Sequence, residues 1–266
     1  MALSDVGTLA WARRTGGRIS GLDRMEILRQ GMLLKWLGWR SRNAAAAPFP
    51  ADLAAVVVPD SAAARRAELE LADTSPGYLV NHGYRCYIWA ALLAQARGLR
   101  FDPELMYVSA LLHDVGLTAA GDLGTECLAV DGALYMEVFG LRAGWSGQRT
   151  DRAAEALSLH INPLVPTRHG AEAHLLNAAT VLDVAGLGKG VLPAAVRQEV
   201  VGRYPRLNLA GEIAADVREQ ADIRPCCRMH YLVRKFGFAE LIEHAGRRDT
   251  DALPVHAAHS TTPSRS

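Results

Sequence analysis

Long apolar runs are missing from this sequence. None approaches the ~18 residues that a membrane helix needs. Only "LAAVVV" (53–58) gathers β-branched residues, and it is short. Cysteine is scarce: Cys86, Cys127, Cys226 and Cys227 show no CxxC spacing, and two are neighbours, which argues against a disulfide framework. Charge of one sign is also lacking. The formal net charge of +1 sets up no global field for nucleic acid or an anionic membrane. "MALSDVGTLAWARR" has no basic start followed by a long apolar core, so it does not read as a signal peptide. Together these absences predict a cytoplasmic protein with structural thiols.

What remains is helical periodicity broken by glycine and proline. Over 266 residues there is room for one large domain with extensions. We divide the chain into an N-terminal helical extension and linker (1–50, ending in "NAAAAPFP"), a main domain (51–246), and a tail (247–266) whose Ser, Thr, Pro and small residues predict disorder. In the extension, Met25, Leu28, Met32, Trp36 and Trp39 share a helix face. That stripe predicts docking on the chain's own domain or on a second subunit, ahead of a membrane surface.

In the main domain, Ser75 and Pro76 open a helix that stops at Gly98. Asp102 and Pro103 open one that runs to Val115 and ends at Gly116. A helix over 131–139 can be capped by Asp131. "DRAAEALSLH" forms another, "AEAHLLNAATVLDVAG" (171–186) ends at Gly186, and two or three follow between Pro193 and Ala245. The fold class is all-α.

"ALLHDVGL" (110–117) sets His113 and Asp114 side by side in an apolar run. Burying an ionised carboxylate without a partner costs several kcal/mol, so something cationic belongs beside it. Alone, such a dipeptide is more often structural, its histidine hydrogen-bonded and its aspartate capping. Three further residues favour a metal, for which carboxylate oxygen and neutral imidazole are both ligands. His82 lies on the core stripe shared with Cys86, Trp89 and Leu93; Asp183 interrupts "LLNAATVLDVAG"; His160 stands at a helix end before "INP". Taken singly, a histidine at 82 is more often a satisfied core residue, but a shared ion would serve all these buried groups at once.

The pattern His82…His113–Asp114…Asp183 in a helical chain resembles the HD superfamily of metal-dependent hydrolases. The likeness runs from about Val57 to Arg218. "SPGYLVNHGYRCYIWAALLA", "ALLHDVG", "AVDGALYMEVFG" and "AATVLDVAG", with Asn81, His82 and Arg85 as NHxxR, are similar to its cyanamide hydratase branch. The resemblance implies an HD-domain helical bundle, with His82, His113, Asp114 and Asp183 holding one divalent metal. Zinc is expected first, with iron or manganese as alternatives. It also places His160 at the pocket. This sequence departs from the branch in two places: Leu117 stands where threonine usually follows HDVG, and Ile161 and Asn162 replace acidic residues after His160. Both departures suggest a substrate bulkier and more apolar than cyanamide.

A divalent metal with an open position brings the pKa of water from near 16 to about 7. The expected enzyme therefore activates water for attack on a small molecule, as in hydration of a nitrile. His160 is the candidate for proton transfer and is counted with Asp114 as catalytic. Arg85 and Asn81 are expected around the ligands, Arg85 by pairing with Asp114 or another acid. His169 lies in a loop that can reach the pocket. His174, nine residues before Asp183, falls on the opposite helix face. Two alternatives stand beside this reading. Phosphoester hydrolysis would need more cations than Arg85, Arg168 and Lys189, and a non-catalytic ligand-sensing module would close its metal to solvent.

Overall fold

The computed structural model describes residues 5–43 and 49–250. Expectations for the linker over 44–48 and the tail beyond 250 lie outside the described residues. The helices are α1 (Leu9–Thr15), α2 (Gly21–Asn43), α3 (Ala62–Thr74), α4 (Gly77–Arg97), α5 (Pro103–Leu112), α6 (Leu128–Arg142), α7 (Gly147–Leu159), α8 (Ala171–Ala185), α9 (Ala194–Arg203), α10 (Leu209–Ile223), α11 (Arg228–Phe236) and α12 (Phe238–Thr250). Among the described residues there is no strand, and no helix is long and apolar enough to cross a membrane.

Local chemistry explains most boundaries. The Asp102 carboxylate accepts from the Leu105 amide, with Pro103 in the first turn of α5. Gly98 and Gly186 end α4 and α8 in left-handed conformations. Some ends differ from expectation. α5 stops at Leu112 rather than Val115, so His113 is the residue that caps it and Asp114 leads into a tight turn at Val115–Leu117. α6 starts at Leu128, and Asp131 lies buried in its first turn, paired with Arg224, instead of capping it. α7 starts earlier than read, at Gly147, capped by Ser146. Four helices follow Pro193, because Gly237 (φ +64°) breaks α11 from α12.

Helix α4 runs through the core, packed on α5 and α8, while α6 and α7 pair and α7 also meets α8. Trp89, Leu92, Leu93, Leu105 and Met106 are almost wholly buried. Each such aliphatic side chain stabilises the fold by about 1.5–3 kcal/mol. α10, α11 and α12 pack together, and α12 meets α8.

The N-terminal segment is part of this body. Trp11 is buried, and Arg13 pairs with Glu137 on α6 and Asp151 on α7. The α2 stripe corrects expectation. Met25, Leu28, Met32 and Trp36 face outward, 43–64 % exposed, while Ile27, Glu26 and Gln30 are buried. These four residues are therefore not what docks α2 on its own domain; Trp39, the fifth of the stripe, lies outside the residues whose side chains are described.

Candidate metal centre

Two helix ends aim histidines at one point. The last carbonyls of a helix lack intrahelical partners. At the end of α5, His113 Nδ1 donates back to the Ala110 carbonyl at 2.8 Å; at the end of α7, His160 Nδ1 does the same to the Leu157 carbonyl at 2.6 Å. In each neutral ring the proton is thereby fixed on Nδ1, leaving Nε2 as a bare lone pair. The two rings meet edge to face, centroids 5.2 Å apart. The negative ends of both helix dipoles also favour a cation there.

The third imidazole comes from α4. His82 Nδ1 lies 2.7 Å from Asp183 Oδ2, so this ring too spends its proton away from the centre. Asp183 accepts from Arg85 Nε (3.0 Å) and Nη2 (2.8 Å) and from Trp89 Nε1 (2.8 Å), with both side chains of the Arg85–Asp183 pair fully buried. Arg85 Nη1 donates to the Tyr204 and Pro205 carbonyls, and Arg206 donates to the Asp183 carbonyl. Gly83 permits the close approach of α4 to α5: a Cβ there would stand 3.2 Å from the Leu111 Cα. Gly116 does the same for the loop after Asp114, since a Cβ would overlap the Leu128 carbonyl of α6.

His82 Nε2 and His113 Nε2 lie 3.2 Å apart. Asp114 Oδ2 is 3.4 Å from the first and 3.1 Å from the second. Ligands about 2.0–2.2 Å from a tetrahedral zinc are about 3.3–3.6 Å from one another, so this triangle, with edges of 3.1–3.4 Å, is within a few tenths of an ångström of what one such ion needs. His160 Nε2 is 3.4 Å from the other oxygen, Oδ1. A second triad, His82, Cys86 and His113, also brings its donor atoms within 4.8 Å of one another. The Cys86 sulfur is wholly buried, whereas Asp114, 16 % exposed, opens on a cavity.

Burial works against every charge here, and neighbours decide the outcome. It would raise Asp183, but Arg85, Arg206 and His82 hold that carboxyl well below its ordinary value. Asp114 is likewise held low against burial, chiefly by His113, then by His160 and His82. Burial lowers His82 more than Asp183 restores it. At His113 the balance reverses: burial is opposed chiefly by Asp114, with the Ala110 carbonyl and Asp183, and the net effect raises it. Burial and Asp183 keep Cys86 a thiol.

The cavity, of about 620 Å³, runs from this cluster to α2. Its inner end carries His82, His113, Asp114 and His160, and its walls are mostly aliphatic and phenyl. Leu117 and Ile161, two of the three departing residues noted in the sequence, both face it. Asn162 also lines it, but its amide is engaged: Nδ2 donates to the Val6 carbonyl and Oδ1 accepts from Arg228 at 2.7 Å. Asn177 holds the same segment by donating to the His160 and Asn162 carbonyls.

The structure thus brings His82, His113, Asp114 and His160 together. Asp183 is adjacent but stands behind His82, on the opposite ring edge from His113 and Asp114, where sequence reading had set it among the ligands. Its four hydrogen-bond sites are filled by Arg85, Trp89 and His82. Arg85 pairs with Asp183, not with Asp114. Asn81 ties the Pro205 carbonyl instead of reaching the pocket. His169 does not join either: it faces Glu155 at 3.6 Å and lines a separate, smaller cavity. His174 binds Arg97 and the Val165 carbonyl, away from the centre. The roles of Cys86 and Trp89 were missed, although their spacing of four and seven from His82 placed them beside it; Arg206 gave no signal. The chain matches no family model and no curated protein.

Proposed function

We propose that the protein is a metal-dependent enzyme that activates water for attack on a small neutral molecule, with hydration of a nitrile to an amide as its reaction. The observation that carries this is the convergence of the His82 and His113 Nε2 atoms, each with its Nδ1 engaged elsewhere, on Asp114 at the inner end of an open cavity. His82, His113 and Asp114 would hold one divalent ion, zinc first; these are three of the four ligands that the resemblance implies, with Asp183 moved behind His82. Such an ion, when bound, acidifies water and polarises the group under attack. Three protein ligands leave the open position that catalytic sites keep.

The chain's own groups do the rest. Asp183, fixed by Arg85 and Trp89, holds the His82 ring in orientation and keeps its proton on Nδ1. His160 faces both Asp114 and the cavity, placed to take a proton from water and return it to the substrate nitrogen. A carbon–oxygen bond forms at the nitrile carbon, the nitrogen gains the proton, and the adduct tautomerises to the amide. A phosphoester is disfavoured because Lys35, at the α2 rim, is the one cation among the described cavity-lining residues, and a phosphate clamp uses several donors.

The test is a parallel assay of zinc-loaded protein on a nitrile panel, cyanamide and mononucleotides. Amide formation that is lost in His160→Gln supports the proposal. Phosphate release without nitrile turnover would replace it with a phosphohydrolase.

A further inference from the structure

The volume and the walls of the cavity carry information about the substrate that the metal centre does not. Cavities of roughly 300–1,000 Å³ hold drug-sized ligands, and this one measures about 620 Å³. Cyanamide, barely larger than water, would leave most of it empty. The cavity's ionisable side chains other than Lys35 of α2 are gathered in the His82, His113, Asp114 and His160 cluster. Away from the cluster the wall is formed by Leu128, Val184, Ile213, Val217, Phe236 and Phe238. Thr180, which also lines it, spends its hydroxyl on the Asn177 carbonyl. An anionic tail would find no cation within those walls, and Lys35 stands at the outer side, exposed on α2. Such a wall rejects charge and gains from every methylene that leaves water.

We infer that the substrate is an elongated, neutral, lipophilic molecule, its reacting group at the histidine cluster and its alkyl or aryl body along the cavity toward α2. The position of the reacting group rests on the proposed metal chemistry; the binding of the body does not.

The experiment follows displacement of a neutral fluorescent probe, N-phenyl-1-naphthylamine, by straight-chain nitriles of increasing length, using the full chain. One saturable site is expected, with affinity rising about fourfold per added methylene until the cavity is full. Val184→Phe and Val217→Phe, checked by circular dichroism for folding, should move the optimum to shorter chains. Affinity independent of chain length in the wild-type protein would overturn the inference, as would an optimum unmoved in both folded variants. His113→Ala, with zinc measured on the same samples, should lose metal and keep the chain-length dependence. Dependence without zinc uptake by the wild-type protein would therefore refute the metal reading and leave this one standing.

Discussion

His82 Nε2 and His113 Nε2 face each other at 3.2 Å, and in the neutral rings neither carries a proton there, because both donate from Nδ1, one to Asp183 and the other to Ala110. Two lone pairs at that distance repel unless a proton or a cation lies between them. Asp114, 3.1 Å from the His113 nitrogen, supplies the negative charge that makes a cation the favoured occupant.

The distinction between a ligand and an orienting carboxylate gives the first prediction. His113→Ala and Asp114→Ala should each abolish stoichiometric zinc. Asp183→Asn should keep one site with affinity reduced about 10–100-fold, and should destabilise the fold by about 3–5 kcal/mol because Arg85 is left buried without its counter-ion. Zinc titration and chemical denaturation of the three variants check this. Complete loss of zinc in a folded Asp183→Asn protein would return Asp183 to the ligand set.

The pH dependence has a definite sign. Asp114 raises His113 above its ordinary 6.5, so the metal-free ring begins to protonate on the alkaline side of that value. A metal must displace this proton. Zinc affinity should therefore fall as pH drops through a range that begins above 6.5, with proton release per zinc growing in the same range. Calorimetry in buffers of different ionisation enthalpy measures the protons directly. Affinity flat down to pH 6 would contradict it.

Gly116 sets the position of Asp114. Gly116→Ala pushes a methyl into the Leu128 carbonyl, and overpacking of this kind costs about 1–3 kcal/mol. The melting temperature should fall and zinc affinity with it, since the loop carrying Asp114 has to move. Unchanged stability would mean the loop is not tied to α6.

Much of this was legible in the sequence because it rests on local chemistry. Asp102, Gly98 and Gly186 marked helix ends through capping and left-handed turns. The core stripe from His82 through Cys86 to Trp89 marked α4 as buried. What escaped was set by contacts distant in sequence. The partners of Asp183 sit 94–101 residues away in the chain, on α4, so periodicity could place the aspartate on a buried face without revealing that Arg85 and Trp89 saturate it. The α2 stripe failed for a related reason. Its apolar residues satisfy helical spacing, yet Glu26 and Gln30 bond each other on the buried face, a pairing that hydrophobicity does not register.

That outward stripe yields a prediction of its own. Met32 is 56 % exposed, so Met32→Glu should shift the unfolding free energy of a monomer by no more than about 0.5 kcal/mol. A larger loss that depends on protein concentration would identify the stripe as a contact between copies of the chain.

The central claim is most directly tested by anomalous diffraction at the zinc edge from crystals grown with the metal. The account predicts one peak per chain, within bonding distance of His82 Nε2, His113 Nε2 and an Asp114 oxygen, with Asp183 still on His82 Nδ1. A peak bonded to the Cys86 sulfur or to Asp183 in place of Asp114, a second peak in the same centre, or no peak with the three donors intact would contradict it.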